Sequence, residues 1–413
     1  MVSQNILRKY AKLAVVMGSN VQPGQTLMIQ GDTDSNYFVR LCVEEAYKAG
    51  AKEVLVEWND QATSRIHYDN ATTETLKEVK SYVLDKTQYW MDNKICRLNV
   101  YSPIPGLLEG VDPQKIQEVA IAQMAPKVRQ EFKQFSMANK TQWCLISIPN
   151  KRWAEKCFPN ETSETAVELL WEAILKAVHV EEDNDPIAVW KEHNKVLHAH
   201  NEALNNYNFK SLHFKNSKGT DLEVGLVKNH IWCGGSEIAQ NGVEFNPNMP
   251  TEESFTMPDR ERVYGRVYST KPLNYGGVLI DEFWLEFNDG KVVDFDAKEN
   301  RETLARLLDF DEGSRHIGEI ALISDDSPIS NSKILFYNTL FDENASCHMA
   351  LGAAYPMNVK GGTSMSREQL KAAGANSSFT HVDFMVGSKD LDIVGTKHDG
   401  SKVQIFKNGN FVF

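Results

Sequence analysis

Thr26-Leu27-Met28-Ile29-Gln30 and Glu53-Val54-Leu55-Val56-Glu57 are two short apolar runs that decide the fold class of the first half of the chain. Between them, residues 35–48 have the pattern of a helix that ends at Ala49-Gly50, where glycine can adopt the left-handed conformation of a helix C-terminus. Short apolar runs that alternate with longer amphipathic segments are expected where crossover helices join parallel strands. The pattern predicts an α/β fold.

The same alternation continues to residue 207. Further strands are predicted at residues 97–101 and 143–148, and further helices at residues 73–91, 115–135, 164–179 and 185–207. We therefore predict an N-terminal α/β domain over residues 1–207 with a mainly parallel sheet. Its last helix carries His193, His198 and His200, which we interpret as solvated or domain-contacting because no His-Glu-x-x-His arrangement is present.

After residue 207 the sequence takes on the pattern of β-structure. Residues 211–215 and 221–226 flank a turn sequence at residues 216–220, which predicts a hairpin. Further strands are predicted at residues 262–268, 277–287, 291–296, 403–406 and 411–413, with a tight turn at residues 288–290 and a helix at residues 301–308. Residues 208–413 are therefore predicted to form an α+β domain with a mixed, mainly antiparallel sheet or open barrel.

The composition argues against nucleic-acid binding. The chain has 413 residues, of which 42% are hydrophobic, and its formal net charge is -12 at pH 7. An acidic surface repels phosphate backbones, and no run of Lys or Arg offers a local exception, so no nucleic-acid partner is expected.

The sequence also gives an expected location. No segment approaches the ~20 apolar residues that span a bilayer, and charges interrupt the first ten residues, so neither a membrane partner nor a signal peptide is expected. The six cysteines form no Cys-x-x-Cys pair and are interpreted as reduced thiols. The expected location is therefore the cytoplasm.

Two segments of the second half carry carboxylates that are suited to binding metals. In residues 248–258, two prolines and a polar centre predict an extended loop, so Glu252 and Glu253 point to opposite sides and only one of them can face a given site. In residues 317–323, Glu319 stands at the head of an apolar strand, where a buried carboxylate needs a cation or a hydrogen-bond partner.

A third segment, residues 338–356, carries a histidine and a tyrosine. We predict a loop that enters a short helix, with Asn344 or Ser346 as its cap. His348 would then lie in the first turns of this helix, with Tyr355, seven residues further on, on nearly the same face.

A fourth segment, residues 378–386, alternates as a strand does. His381 and Asp383 are separated by two positions, so both are predicted to project from one face of this strand. Imidazole and carboxylate ligands suit Zn, Co or Mn, although such a pair can also be a simple hydrogen-bonded pair.

Together the four segments offer three carboxylates, two imidazoles and a phenol. The set consists of Glu253, Glu319, His348, Tyr355, His381 and Asp383. It suits two divalent ions about 3.5–4 Å apart with one bridging carboxylate, as in aminopeptidases and phosphatases.

The order and spacing of these segments resemble those of the aminopeptidase T and aminopeptidase S family of thermophilic metallopeptidases. The resemblance is carried by Thr251-Glu252-Glu253-Ser254-Phe255-Thr256, Gly318-Glu319-Ile320-Ala321-Leu322, Glu343-Asn344-Ala345-Ser346-Cys347-His348-Met349-Ala350-Leu351-Gly352 and His381-Val382-Asp383-Phe384-Met385. It extends over essentially the whole chain.

The resemblance implies a dimetal exopeptidase that removes N-terminal residues from peptides, with a separate α/β N-terminal domain and a homodimeric assembly that encloses the active site. It implies two divalent ions per subunit, for which Zn, Co and Mg are the choices. The implied ligands are Glu253, Glu319, His348, His381 and Asp383, with Tyr355 coordinating or close by. Residues 208–413 would then be the metal-binding catalytic domain.

In the expected mechanism a two-metal-activated water attacks the peptide bond, and Tyr355 donates to the developing oxyanion. Glu252 and Glu343 are candidates for proton transfer or for recognition of the substrate amine, or they are ordinary polar loop residues. Two alternatives stay open. One is a dimetal hydrolase of another bond, such as a phosphoester, and the other is a non-catalytic protein with a closed metal site.

Overall fold

The computed structural model describes residues 2–276 and 278–413 and divides into two compact units. The first unit extends to Glu192 and also includes Ser236–Pro250, whereas the second contains His193–Gly235 and Thr251–Phe413. These bounds differ from the predicted boundary at residues 207 and 208, and the division into domains 1–207 and 208–413 stays a prediction.

The α-helices, in chain order, are α1 (Gln4–Leu13), α2 (Asn36–Lys48), α3 (Gln61–Asn70), α4 (Thr73–Lys77), α5 (Ser81–Asp92), α6 (Pro113–Met124), α7 (Lys127–Met137), α8 (Lys151–Cys157), α9 (Ser163–Ala177), α10 (Pro186–Tyr207), α11 (Arg301–Leu308), α12 (Pro328–Ser332), α13 (Thr339–Asp342) and α14 (Arg367–Ala372). A π-helical turn, Ala14–Gly18, follows α1, and single 3-10 turns lie at Thr33–Ser35, Glu312–Arg315, Glu343–Ala345, Pro356–Asn358 and Gly362–Ser364.

The strands are β1 (Thr26–Asp32), β2 (Glu53–Asn59), β3 (Cys96–Val100), β4 (Trp143–Ile146), β5 (Phe209–Lys215), β6 (Asp221–Leu226), β7 (Glu237–Ile238), β8 (Glu244–Phe245), β9 (Ser254–Thr256), β10 (Pro258–Tyr268), β11 (Leu273–Tyr275), β12 (Val278–Asn288), β13 (Lys291–Glu299), β14 (Ile317–Leu322), β15 (His348–Gly352), β16 (His381–Met385), β17 (Asp392–Lys397), β18 (Lys402–Lys407) and β19 (Asn410–Phe411). Gly277, where one predicted strand begins, lies outside the described residues.

The first unit is built on a parallel sheet with the strand order β2-β1-β3-β4. Parallel neighbours cannot be joined by a hairpin, so helices such as α2 connect them. Leu27, Ile29 and Leu98 are fully buried within this sheet. The predicted α/β fold with a parallel sheet is confirmed.

Two predicted helices of the first unit are each interrupted. The predicted helix at residues 115–135 is divided into α6 and α7 at Pro126, because proline lacks the N–H that a helix interior requires and its ring clashes with the preceding turn. The predicted helix at residues 73–91 is divided into α4 and α5, with extended backbone at Glu78 and Lys80.

The edge of β4 in the first unit is covered by a segment from much later in the chain. Leu145 donates its N–H to Pro247 O at 2.7 Å, and Met249 donates its N–H to Leu145 O at 3.0 Å. Phe245 and Met249 are buried. Residues 246–249 therefore pair with β4 as an additional strand would.

The second unit contains a nine-stranded antiparallel sheet with the order β11-β12-β10-β6-β5-β17-β18-β19 and with β13 on β12. The predicted turn between β12 and β13 has positive φ at both Asp289 and Gly290, as a two-residue hairpin loop of type I′ requires. Gly290 is required for a second reason, since a Cβ there would lie 1.8 Å from Arg260 O. The predicted, mainly antiparallel sheet is confirmed.

A second antiparallel sheet of this unit, the four-stranded sheet, has the order β16-β15-β14-β9. One cross-strand row consists of Ile320, Met349 and Phe384, which join the large hydrophobic core that also contains residues of the nine-stranded sheet. Side chains alternate between the faces of a sheet, so the neighbouring residues of each strand point away from this core.

The prediction of a helix after residue 344 is wrong, because residues 348–352 form β15. This strand lies between β14 and β16 and is buried along its whole length. Met349, Ala350 and Leu351 have high helix propensity, but pairing on both sides decides the local structure. His348 and Tyr355 therefore do not share a helix face.

Among the described residues, no helix combines the length and the apolar character needed to cross a membrane.

Candidate metal centre

The four-stranded sheet brings the predicted metal ligands to one face. Ala350 lies between Glu319 on β14 and Asp383 on β16 in one cross-strand row. His348 and His381 are each two residues from a member of this row, so they share its face. Because alanine is small, the two carboxylates have space between them.

The fifth predicted ligand comes from the segment before β9. Oε2 of Glu253 lies 3.4 Å from Nε2 of His348, and Glu253 is 7% exposed. The prediction that only one of Glu252 and Glu253 faces the site agrees with this position, since Glu252 Oε2 instead lies 3.9 Å from Nε2 of His193.

Glu319 is placed between the two imidazoles. Its Oε1 lies 3.5 Å from Nε2 of His348, and its Oε2 lies 3.8 Å from Nε2 of His381. The potential ligand atoms form two groups, and the atoms of each group lie within 4.8 Å of one another. Glu253, Glu319 and His348 supply one group, and Glu319, His381 and Asp383 supply the other. Glu319 belongs to both, as a bridging carboxylate must.

A backbone carbonyl oxygen fixes the orientation of each imidazole ring. Nδ1 of His348 lies 2.9 Å from Glu343 O, and Nδ1 of His381 lies 2.8 Å from Ala353 O. A carbonyl oxygen only accepts, so each Nδ1 carries a proton and donates it. Each Nε2 is then directed at carboxylates and is available as a ligand, which is the usual arrangement of a metal-binding histidine.

The imidazoles and carboxylates strongly perturb one another in the cation-free chain. Burial lowers the pKa of His348, but hydrogen bonding to Glu253 and Glu319 outweighs it and holds that pKa well above its ordinary value. Burial also opposes protonation of His381, yet the Asp383 charge raises the pKa of His381 to about 9. Both imidazoles are therefore expected to stay protonated at neutral pH when no cation is bound.

The carboxylates are shifted in different directions. Burial, supported by the charges of Glu253 and Asp383, raises the pKa of Glu319. Burial likewise raises the pKa of Asp383, but the neighbouring His381 outweighs it and the net shift is downward. Oppositely shifted acids in one buried cluster are typical of functional sites.

Tyr355 follows β15 and borders the same centre. Its ring packs edge-on against His381 with the centroids 4.9 Å apart, and against Phe255 with the centroids 6.0 Å apart. Burial and the charges of Glu319 and Asp383 raise the pKa of the Tyr355 phenol well above its ordinary value. The hydroxyl therefore stays protonated at neutral pH and can donate a hydrogen bond.

Glu343 and Asn344 also belong to the surroundings of the centre. Burial and the charges of Asp383 and Glu253 raise the pKa of the Glu343 carboxyl well above its ordinary value. Asn344, which with Ser346 was one of two candidate helix caps, is fully buried and accepts a hydrogen bond from the N–H of Glu252 at 2.7 Å. The local sequence gave no signal that separates Glu343 and Asn344 from ordinary loop residues.

The donor set fits divalent cations. It consists of oxygen and imidazole donors, which suit Zn and Co. Oδ1 of Asp383 is buried and has no hydrogen-bond partner within the described part of the chain, although Nε2 of His381 lies 3.4 Å away. A buried carboxylate oxygen needs a cation or a hydrogen-bond donor.

Comparison with known proteins connects this centre to a family. Residues 3–411 match the family described as thermophilic metalloprotease (M29). Aminopeptidase 2 of Geobacillus stearothermophilus is 45% identical, and aminopeptidase AmpS of Bacillus subtilis is 44% identical, each over 98% of both chains. The solved structure of wild-type AmpT from Thermus thermophilus superposes with a TM-score of 0.91 at 37% identity and covers 99% of this chain and 100% of its own.

The match over nearly the whole chain shows that the protein is a metalloprotease, and the acidic, imidazole-containing site agrees with that class. The chain belongs to the thermophilic metalloprotease (M29) family, over nearly its whole length. The predicted resemblance to the aminopeptidase T and aminopeptidase S family is thereby confirmed.

Proposed function

We propose that the chain is a metallo-aminopeptidase that removes N-terminal residues from peptides with a pair of divalent cations. The family and the full-length relatives named as aminopeptidases support the activity. The observation that supports a pair of cations is the position of Glu319, whose two oxygens face two different imidazoles.

In this proposal each cation has its own protein ligands and shares one. Glu253, Glu319 and His348 would hold one cation, and Glu319, His381 and Asp383 would hold the other. When bound, such a pair supplies Lewis acidity that lowers the pKa of a water from 15.7 to about 7 and polarises the scissile carbonyl. Zn, Co and Mg are the proposed ions.

Tyr355 is proposed to stabilise the oxyanion that develops on the scissile carbonyl. Its raised pKa keeps the phenol protonated, and its ring is held between His381 and Phe255. One donor aimed at a developing oxyanion typically contributes about 10²–10³ to kcat. Coordination to a cation is the other role proposed for this hydroxyl.

Glu343 is proposed to accept the proton of the attacking water and to deliver it to the leaving amine. Its side chain is partly buried and is influenced by the charges of Asp383, Glu253 and Glu319. A carboxyl with a raised pKa suits proton transfer near neutral pH. The free α-amine of the substrate is proposed to bind a cation or a nearby carboxylate, which would restrict cleavage to N-termini.

The direct test is metal-dependent turnover. We expect the purified chain to hydrolyse leucyl and arginyl p-nitroanilides, to lose this activity with EDTA, and to regain it with Co²⁺ or Zn²⁺. A phosphate ester serves as the matched control substrate. Turnover that is indifferent to chelation, or a preference for the phosphate ester, would reject the proposal, and metal binding without turnover would indicate a non-catalytic site.

We also propose a homodimer in the cytoplasm, with residues 208–413 as the catalytic domain. The resemblance of the chain to the family supports the dimer. Sedimentation of the purified chain tests the dimer, and fractionation of cells tests the location.

A further inference from the structure

The segment formed by Thr251, Glu252 and Glu253, which we call the Glu253 segment, has no regular secondary structure, yet side chains hold its backbone. Nε2 of His193, on α10, lies 2.7 Å from Thr251 O. The N–H of Glu252 donates to Oδ1 of Asn344 at 2.7 Å. His193 and Asn344, which are far apart in the sequence, therefore hold the backbone of two consecutive residues, Thr251 and Glu252.

The carbonyl of Glu253 is held by close packing. A Cβ at Gly234 would lie 2.0 Å from this oxygen, so only glycine allows the approach. Gly234 is fixed in turn, because Asn201 on α10 donates from Nδ2 to Gly234 O at 3.0 Å. The helix that supplies His193 thus supports the Glu253 segment at a second point.

The two side chains that contact the segment are themselves restrained. Asn344 is fully buried, and its Nδ2 donates to Leu340 O at 2.9 Å, so its Oδ1 must face Glu252. Nε2 of His193 carries a proton, because Thr251 O can only accept. Neither residue belongs to the two ligand groups that share Glu319.

We propose that His193 and Asn344 are positioning residues that hold the carboxylate of Glu253 in the geometry of a metal ligand. This inference rests on the proposed two-metal centre. Metal ligands must be held within about 0.5 Å of their working positions, and a segment without strand pairing cannot supply this precision alone. Loss of an outer partner typically costs about 10–100-fold in metal affinity.

The test is calorimetric titration of the EDTA-treated full chain with Co²⁺, with the Tm of the metal-free protein measured in parallel. We expect His193→Ala to weaken one of the two Co²⁺ sites by about 10–100-fold and to leave the other unchanged. His193→Gln, whose amide can donate to Thr251 O, should restore most of the affinity. His198→Ala removes an exposed imidazole from the same helix and should have no effect.

Asn344→Ala removes the other side chain that holds the Glu253 segment. It should weaken the same Co²⁺ site, and the double variant with His193→Ala should fall short of the product of the two single effects, because both act through one backbone segment. The kcat of the Co²⁺-saturated single variants should recover towards that of the wild type, since the ligands themselves are intact.

The outcomes distinguish this inference from the proposed function. Two unchanged Co²⁺ sites in both single variants would overturn the positioning role and leave the two-metal centre standing. Equal weakening of both sites together with a large loss of metal-free Tm would also overturn it, because that result indicates general destabilisation. A wild-type chain that binds no Co²⁺ would reject the proposed function and this inference with it.

Discussion

Glu319 is the residue that connects the two halves of the centre, because each of its oxygens faces a different imidazole. Glu319→Gln keeps the shape of the side chain but removes the charge that the proposed pair of cations requires. We expect kcat/KM on leucyl p-nitroanilide to fall by about 10³-fold or more. The metal-free Tm should not fall, since burial makes the Glu319 charge unfavourable in the folded chain and raises its pKa despite the two neighbouring histidines.

The matched control for this substitution is Glu302→Gln, because the Glu302 side chain is 91% exposed on α11. It should leave both activity and Tm unchanged. Full activity in Glu319→Gln would remove Glu319 from the ligand set.

The raised pKa of His381 predicts a pH dependence for the metal-free chain. The pKa rises from 6.5 to about 9 on folding, so the folded state binds this proton more tightly than the unfolded state. The resulting stability is fully present below pH 6.5 and is lost as the pH rises through 9. The raised pKa of His348 acts in the same direction.

We therefore expect Tm in EDTA to fall between pH 6.5 and 9, and His381→Gln to reduce this slope. The metal-loaded protein is the comparison, because a ligating Nε2 holds no proton and the slope should be lost. A Tm in EDTA that rises over this interval would contradict the assigned interaction between His381 and Asp383.

Tyr355→Phe separates the phenol hydroxyl from the packing of its ring. The ring contacts with His381 and Phe255 remain, and only the donor is lost. We expect kcat to fall by about 10²–10³-fold with little change in KM or in bound metal. Tyr264→Phe, at a side chain that is 43% exposed, is the control, and an equal effect of both substitutions would argue against the oxyanion role.

At the residue level, the sequence predicted which side chains meet but not how they are arranged. The four segments stood out because carboxylates and imidazoles lie in otherwise apolar or loop sequence. Glu319 at the head of an apolar strand was the clearest case, since a buried charge needs a partner. That Glu319 faces both histidines depends on distances between separate strands, which one sequence does not contain.

At the level of secondary structure, β15 determines how much space the centre has. Ala350 pairs with Glu319 on one side and with Asp383 on the other, and it is fully buried. Ala350→Leu should fill the space between the two carboxylates and lower the Co²⁺ stoichiometry, at a stability cost of about 1–3 kcal/mol. Calorimetric titration together with thermal unfolding measures both effects.

Met349→Leu is the control for this strand, because Met349 lies on the opposite face, in the hydrophobic core. A swap that conserves volume should cost less than about 1.5 kcal/mol and leave metal binding intact. Normal Co²⁺ stoichiometry in Ala350→Leu would show that the space above Ala350 is not part of the centre.

Local patterns predicted most strands but failed at this one. The strands β1, β2 and β16 have period-two or fully apolar runs bounded by turn residues. By contrast, β15 is buried on both faces and contains methionine, alanine and leucine, so its composition favours a helix. Its pairing with β14 and β16 is a long-range interaction, which propensity does not report.

For the whole molecule, the sequence predicted an α/β half and a mainly antiparallel half, and both are present. It did not predict that residues 236–250 return to the first unit. This return depends on contacts across about a hundred positions, such as the pairing of Leu145 with Pro247 and Met249. A break in periodicity near residue 208 gives no signal for it.

The return of this segment predicts the behaviour of a truncated chain. Residues 1–207 alone would leave the β4 edge open and would lack the buried Phe245 and Met249, each of which contributes about 1.5–3 kcal/mol. We expect this fragment to aggregate, since an open apolar edge templates further pairing. The same fragment with residues 236–250 attached through a flexible linker should be more soluble, as size-exclusion chromatography would show.

This interleaving also constrains how the protein is made. A ribosome delivers β5 and β6 before residues 246–249, so the N-terminal unit is still incomplete when the first hairpin of the next unit emerges. Domains usually mature one after another during translation. Here the edge of β4 must be kept protected in the nascent chain until residues 246–249 have been synthesised. A chaperone would act during this interval.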